Sequence, residues 1–204
     1  MSLFIEKIII SVVQIALFAA IPLIWWMISE RKECSFLEWI GIKKIKDDGE
    51  SKTFIWIFAA TICFWVLSIF ILQSLKDSEM ATSAFSGMGM SAIPAVLIYA
   101  VFNTALSEEL LFRGFLLKRS MDKFGFSAGN LIQSILFGLM HGVMFFTAVG
   151  SFKAVLITVF TGGMGWIMGY INEKKAGGSI LPSWGSHALA NIFSGVCSAF
   201  LIFS

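Results

Sequence analysis

The sequence predicts an all-α protein, a polytopic membrane helical bundle of about six transmembrane helices. Of its 204 residues, 57% are hydrophobic and only 14% are charged, whereas a soluble domain carries about 25% charged residues. Apolar runs of about 20 residues, the length that crosses a hydrocarbon core, recur along the chain. The predicted spans are residues 8–28, 53–75, 92–117, 128–149, 152–171 and 183–204.

These spans group into one structural unit with no water-soluble domain. Residues 1–91 are expected to supply two transmembrane helices and a basic loop, and residues 92–204 the core of the protein. In the fifth span Gly165 and Gly169 are four residues apart, a spacing that lets two membrane helices approach closely. The three cysteines are scattered without the paired spacing of a disulfide framework or a zinc motif.

The distribution of lysine and arginine predicts the orientation of the helices. The first, third and fifth loops carry eleven of these residues, and the opposite side carries three. Because basic loops stay in the cytoplasm, these three loops are expected to be cytoplasmic and both termini outside. In the first loop an apolar stretch, residues 36–40, precedes a lysine cluster, a pattern typical of a segment that lies on an anionic membrane surface. We expect an integral, multi-pass membrane protein.

The third span contains the charges that most need explaining. Glu108, Glu109 and Arg113 lie in a run where a charge costs several kcal/mol, so they indicate a functional site. On a helix Glu109 and Arg113 share a face and can form an ion pair. Glu108 points about 100° away and has no such partner. We therefore predict one neutralised carboxylate and one available carboxylate.

Both histidines of the chain also lie in predicted spans. His141 is in the fourth span, four residues after Phe137, and His187 and Asn191 are four apart in the sixth. One histidine in an apolar helix is commonly a packing residue, but two of them on different helices, with a free carboxylate and an asparagine, indicate a functional cluster. The orientation places this cluster in the cytoplasmic half of the membrane.

The cluster has the groups that peptide hydrolysis without a covalent nucleophile requires. A carboxylate in an apolar site can act as a general base, and histidine supplies a second proton-transfer group. His187 and Asn191 offer donors for the oxyanion of a tetrahedral intermediate. The motifs of zinc, aspartate and serine hydrolases and the nucleotide-binding phosphate loop are missing from the sequence. There is no basic cluster with interleaved aromatics, so no nucleic-acid partner is expected.

Three motifs resemble those of the CAAX proteases and bacteriocin-processing enzymes, the CPBP or Abi family. They are Glu-Glu-x-x-x-Arg at Glu108 to Arg113, Phe-x-x-x-His ending at His141, and His-x-x-x-Asn from His187 to Asn191. Each alone is weak, but the three occur in the family's order on successive apolar helices. The resemblance implies an intramembrane endopeptidase of the glutamate type.

The resemblance also implies roles for the residues. Glu108 and His141 would activate water, His187 and Asn191 would stabilise the oxyanion, and Glu109 and Arg113 would support them. The short chain is more similar to the bacterial members, which are linked with peptide maturation or self-immunity, so the resemblance implies a bacterial plasma membrane as the location. The expected partners are a membrane-anchored peptide or protein and the lipid bilayer, with no cofactor.

Three alternatives stay open from the sequence. The first is a zinc-dependent version of the same protease, because glutamate and histidine are also zinc ligands. The second is a non-catalytic bacteriocin-immunity or membrane chaperone protein. The third is a proton-coupled transporter, against which the lack of an internal repeat argues.

Overall fold

A computed structural model describes residues 2–46, 52–74 and 82–202, and these residues contain helices and no strand. The all-α membrane fold class is therefore confirmed. The helices are α1 (Leu3–Ser29), α2 (Phe36–Ile40), α3 (Lys52–Ser74), α4 (Gly89–Phe124), α5 (Phe126–Lys175) and α6 (Leu181–Ala199). Within the described residues α1, α4 and α5 are long and apolar enough to cross a membrane. The number of six spans stays a prediction.

Helix α5 is a hairpin of two antiparallel limbs, residues 126–149 and 151–175. Gly150, with φ 76° and ψ 169°, breaks the helix between them. The Asn130 side chain donates to the carbonyl of Trp166 at 3.0 Å, and that of Gln133 donates to the carbonyl of Gly165 at 2.9 Å. Residues near the start of one limb thus contact residues near the end of the other. This hairpin corresponds to the predicted fourth and fifth spans.

Glycines let the limbs of the α5 hairpin pack closely. A Cβ on Gly162 would lie 3.2 Å from the Ser134 carbonyl oxygen, and one on Gly165 would lie 3.4 Å from the Phe137 ring. A Cβ on Gly169 would overlap the side chain of Asn130. The close approach expected of Gly165 and Gly169 is confirmed.

Helix α4 departs from regular α-helical geometry on both sides of the glutamate pair. Tyr99–Leu106 and Leu110–Leu117 are π-helical, and Ser107–Glu109 between them is α-helical. The Ser107 hydroxyl donates to the carbonyl of Phe102, five residues earlier, at 3.2 Å. π-Helical turns inside α-helices are rare and frequently occur at functional sites.

Several helix boundaries differ from the predictions, and for two of them the structure gives the physical reason. Residues 118–124 were expected to be a loop, but helix α4 continues through them. The reason is that the Lys118 ammonium is held inside the protein, where it donates to Glu173 at 2.7 Å and to the Gly178 carbonyl at 2.8 Å. Helix α6 ends at Ala199 rather than at the chain end, where Leu201 takes a positive φ of 55° and the amide of Ile202 bonds back to Cys197.

The short helix α2 also differs from its predicted place on a membrane surface. Ile40 is fully buried and Trp39 nearly so, in a cluster with Leu110, Phe115 and Ile180. A left-handed Gly41 ends α2, and its carbonyl accepts from the Ile180 amide at 2.9 Å. Most of the apolar stretch therefore closes one end of the bundle beside α4 and α6. Leu37 remains exposed.

Candidate active site

The glutamate pair of α4 is divided into two environments, and Glu109 has the more buried one. Its Oε1 lies 3.1 Å from Nη1 of Arg113, and both side chains are fully buried. The guanidinium of Arg113 also lies 4.0 Å above the Phe137 ring and donates to the sulfur of Met168. Arg113 thus holds α4 against both limbs of α5. Breaking its ion pair with Glu109 would leave an uncompensated buried charge.

Glu109 has two further partners, both on α6. Its Oε2 accepts a 2.5 Å hydrogen bond from Ser183, and its Oε1 lies 3.1 Å from Nδ1 of His187. Ser183 in turn accepts a hydrogen bond from the side chain of Asn172, on the second limb of α5, at 2.7 Å. Glu109 therefore has partners on α4 and α6, is linked to α5 through Ser183, and orients the His187 ring.

Glu108 faces the two histidines. Its Oε2 lies 3.9 Å from Nε2 of His141 and 3.8 Å from Nε2 of His187. That oxygen is buried and has no hydrogen-bond partner in the part of the chain that the structure describes. Polar groups separated by more than about 3.5 Å are commonly bridged by a water. The Glu108 carboxylate therefore faces both imidazoles across distances that a water can bridge.

Each imidazole is held through its Nδ1 atom. Nδ1 of His141 lies 2.9 Å from the carbonyl oxygen of Phe137, so it donates to that carbonyl. Nδ1 of His187 donates to the carboxylate of Glu109, and the Phe64 ring stacks on His187 with an interplanar angle of 8°. Because Nδ1 carries a hydrogen in both rings, each neutral ring presents a bare Nε2 to Glu108.

Asn191 lies one turn beyond His187 on α6. Its amide nitrogen donates to the Thr104 hydroxyl at 2.7 Å. An amide NH₂ has two hydrogens, so one remains for another acceptor. Asn191, Glu108, His141 and His187 all line one cavity of about 350 Å³.

A family model described as type II CAAX prenyl endopeptidase, Rce1-like, matches residues 90–193, just over half of the chain. The chain belongs to this family. Membership identifies the protein as a hydrolase of the CAAX protease type, and its long apolar helices make it an integral membrane protein. No curated protein and no solved structure matches the chain.

The Rce1-like segment contains every residue that the motifs singled out, and the structure brings all of them together. Glu109 and Arg113 form the predicted ion pair, and Glu108, His141, His187 and Asn191 line the same cavity. The helix spacing was sufficient to predict which carboxylate is paired.

The sequence did not indicate four contributors to this Rce1-like site: Ser183, Asn172, Thr104 and Phe64. Ser183, Thr104 and Phe64 are residue types common in membrane helices, Asn172 lies just beyond the predicted fifth span, and none of the four belongs to a motif. Ser183 lies four residues before His187, a helical spacing that placed it on the histidine face. That spacing was the one available signal.

The metal alternative can be compared with the side chains present. Two imidazole nitrogens approach one carboxylate oxygen of Glu108, but the described ranges contain no group of three or more His, Cys, Asp or Glu side chains placed to hold a metal ion. Glu109, the next carboxylate, is already engaged by Arg113 and Ser183.

Proposed function

We propose that this Rce1-like protein is an intramembrane endopeptidase of the glutamate type, which hydrolyses a peptide bond in a membrane-anchored peptide or protein. The observation that carries the proposal is the approach of two histidine Nε2 atoms to one unpartnered oxygen of Glu108, at 3.9 Å and 3.8 Å. A general base needs its proton donor within hydrogen-bond reach, directly or through one water. Here the proton donor is a water between Glu108 and His141, which lies within hydrogen-bond reach of the Glu108 carboxylate.

Glu108 and His141 form the water-activating pair. The carboxylate of Glu108 takes a proton from the water as its oxygen attacks the carbonyl carbon of the peptide bond. The neutral His141 ring accepts the second hydrogen bond of the water through its bare Nε2, because its Nδ1 is committed to Phe137. Two acceptors on one water orient its lone pair toward the substrate.

His187 and Asn191 supply the donors for the oxyanion. When the His187 ring is protonated, its Nε2 donates to the oxyanion. The Glu109 carboxylate at Nδ1 stabilises this protonated ring. Asn191 contributes the amide hydrogen that Thr104 does not use. Donors fixed before the reaction stabilise the developing negative charge without reorganisation.

The tetrahedral intermediate collapses when its carbon–nitrogen bond breaks. Glu108 returns the proton it took from water to the departing amine, and the second product leaves as a carboxylate after losing its remaining proton to His141 or to solvent. Glu108 is thereby deprotonated again, His141 passes any proton it took to solvent, and no covalent intermediate forms. The lining of the cavity also includes Phe64, Met144 and Phe145, which suits a substrate with an apolar, membrane-anchored part.

The test is cleavage of a panel of membrane-anchored peptides in liposomes, detected by mass spectrometry. Wild type is compared with Glu108→Gln, which keeps the side-chain volume, and with Glu38→Gln, which changes an exposed carboxylate on α2 as a matched control. Each protein is assayed with and without a strong chelator. We expect cleavage by wild type and Glu38→Gln, its loss in Glu108→Gln, and no effect of the chelator.

The other outcomes separate the alternatives. Cleavage that is lost on chelation and restored by zinc favours the zinc-dependent protease. A function in cells that persists in Glu108→Gln favours the non-catalytic immunity or chaperone protein. Cleavage by Glu108→Gln at the wild-type rate contradicts the assignment of Glu108 as the base.

A further inference from the structure

Helix α4 brings to one face side chains that a regular α-helix would separate. Tyr99 and Glu108 are nine residues apart, and both line the cavity. At about 3.6 residues per turn, nine residues make two and a half turns of an α-helix, which would set the two side chains on opposite faces. The π-helical segment Tyr99–Leu106 has wider turns with i→i+5 bonds, so the same nine residues make about two turns. The direction in which Glu108 points therefore depends on this segment.

Two hydroxyl groups of α4 itself support the wide turns. The Thr104 hydroxyl lies 3.3 Å from the carbonyl oxygen of Tyr99 and 3.4 Å from that of Ala100. The Ser107 hydroxyl donates to the carbonyl of Phe102 at 3.2 Å. A carbonyl oxygen has two lone pairs, so it can accept a side-chain bond in addition to a backbone bond. Both hydroxyls reach back five residues, which is the spacing of a π-helical turn.

The carbonyl of Val101, between these groups, has a donor from another helix. The indole Nε1 of Trp184, in the first turn of α6, donates to it at 2.8 Å. Each carbonyl of residues 99–102 thus lies within hydrogen-bond distance of a side-chain donor. The Trp184 ring also meets the ring of Phe102 edge-to-face, with 6.4 Å between the ring centres. Trp184 lies outside the lining of the cavity, so it acts on the reaction only through α4.

Trp184 is the first of a row of α6 residues that fit onto α4. His187 and Asn191 follow it by three and seven residues, the spacing of one helix face. They contact Glu109 and Thr104, respectively. Without the indole bond a regular α-helical turn would compete with the wide one. Because each residue of an α-helix turns the chain by about 100°, a change of this kind would rotate the side chains that follow.

We propose that Trp184 is a positioning residue, whose indole N–H stabilises the π-helical turn of α4 and thereby aims Glu108 at the two histidines. The effect of Trp184 on turnover rests on the proposed function, whereas its effect on the rotation of α4 does not. Loss of the N–H group alone should turn Thr104 away from Asn191 and lower the rate of hydrolysis. The part of α4 before the π-helical segment should stay in place.

The first experiment measures the rotation of α4 and does not depend on hydrolysis. In the full-length protein in nanodiscs, with its native cysteines changed to alanine, Thr104→Cys is combined with Asn191→Cys, because these side chains lie 2.7 Å apart. The control pair is Val96→Cys with Gly195→Cys, where a Cβ on Gly195 would lie 3.5 Å from that of Val96, a separation that a disulfide can span. Benzothienylalanine, which has the shape of tryptophan but sulfur in place of the N–H group, replaces Trp184 in each pair. Mass spectrometry records the disulfide yield.

The second experiment measures kcat and KM for one membrane-anchored peptide in liposomes, with the native cysteines and catalytic residues intact. The proteins are wild type, Trp184→Phe and the protein with benzothienylalanine at position 184. The matched controls are Trp25→Phe and benzothienylalanine at position 25, because Trp25 is an exposed tryptophan of α1. A loss that is shared by phenylalanine and the isostere at position 184 is due to the N–H group rather than to the volume of the ring.

We expect the isostere at position 184 to lower the disulfide yield of the 104–191 pair several-fold and to leave that of the 96–195 pair unchanged. It should lower kcat by about tenfold to a hundredfold, because a small displacement of a catalytic group is costly, and leave KM within about twofold. The position-25 variants should match wild type. Unchanged yields, an equal loss of yield in both pairs, or an unchanged kcat overturns the positioning role.

The two experiments also separate this proposal from the proposed function. A selective loss of the 104–191 disulfide in a protein whose wild type cleaves no peptide supports the role of Trp184 in α4 and refutes the hydrolase. Cleavage that needs Glu108 but is indifferent to the isostere at position 184 refutes the positioning role and leaves the hydrolase standing.

Discussion

Oε1 of Glu109 lies 3.1 Å from Nδ1 of His187, and Oε2 of the preceding residue, Glu108, lies 3.8 Å from Nε2 of the same ring. Two carboxylates that are adjacent in sequence thus face opposite nitrogens of one imidazole. Glu109 is fully buried and bonded to three side chains, whereas Glu108 has no hydrogen-bond partner among the described residues. One carboxylate is held by its neighbours, and the other keeps a buried oxygen without a partner in the described residues.

Ser183→Ala should lower kcat by about tenfold to a hundredfold with little change in KM. The Ser183 hydroxyl fixes the Glu109 carboxylate that orients His187, and loss of such outer contacts typically costs this much activity. Peptide cleavage in liposomes measures the change. Ser186→Ala, which removes a buried hydroxyl of the same helix bonded to Thr61 instead, should stay within about twofold of wild type. Equal losses in both variants would indicate a general packing defect.

Arg113→Met should destabilise the protein by about 3–5 kcal/mol. Methionine keeps much of the side-chain volume but leaves the buried Glu109 carboxylate without its cation. Reversible unfolding by denaturant in detergent micelles measures the free energy of unfolding. Arg31→Met, at an exposed arginine that follows α1, should change it by less than about 0.5 kcal/mol. A cost for Arg113→Met no greater than that of Arg31→Met would show that the ion pair adds nothing to stability.

Thr104→Val should reduce kcat about tenfold, while Thr104→Ser should retain most of the wild-type rate. Valine has the shape of threonine but cannot accept the hydrogen bond from Asn191, so the amide loses the contact that orients it toward the cavity. Serine keeps the hydroxyl. The comparison of kcat and KM for both variants on one cleaved peptide checks this. If valine and serine behave alike, Thr104 does not act through its hydroxyl.

Gly150→Ala should lower the free energy of unfolding by about 1–3 kcal/mol. The φ of 76° and ψ of 169° at Gly150 lie in a region that only glycine populates readily. Gly163→Ala is the matched control, because Gly163 is helical and a Cβ there meets nothing within 4 Å. Alanine at Gly163 should stabilise the protein by about 0.5–1 kcal/mol. Thermal unfolding of the two variants should therefore shift in opposite directions.

Hydropathy and periodicity were sufficient to predict the helical class and the approximate positions of the helices. They failed where tertiary contacts decide a boundary. Lys118 is basic and was assigned to a loop, but Glu173 and the Gly178 carbonyl hold it inside the protein, so α4 extends past it. Trp39 and Ile40 have the composition of a membrane-surface segment, yet they pack against α4 and α6. Composition does not distinguish lipid from protein as the apolar neighbour.

The core of the candidate site was predictable because each residue is unusual for its surroundings. A histidine or glutamate in an apolar helix stands out, and a spacing of four shows which partner it shares a face with. The supporting contacts were not predictable in this way. Which nitrogen of His187 faces Glu109 depends on how α6 is rotated against α4, and a single sequence contains no measure of that rotation.

The position of His187, Ser183 and Asn191 on α6 has a consequence for biosynthesis. Helix α6 follows every other described helix in the chain, so it is the last of them to leave the ribosome. Until it inserts, Glu108 lacks the His187 ring, Glu109 lacks Ser183, and the cavity has one side open to lipid. A nascent chain that already contains both glutamates, Arg113 and His141 is thus unable to hydrolyse the proteins around it. Under the proposed mechanism, activity therefore begins only after α6 has inserted.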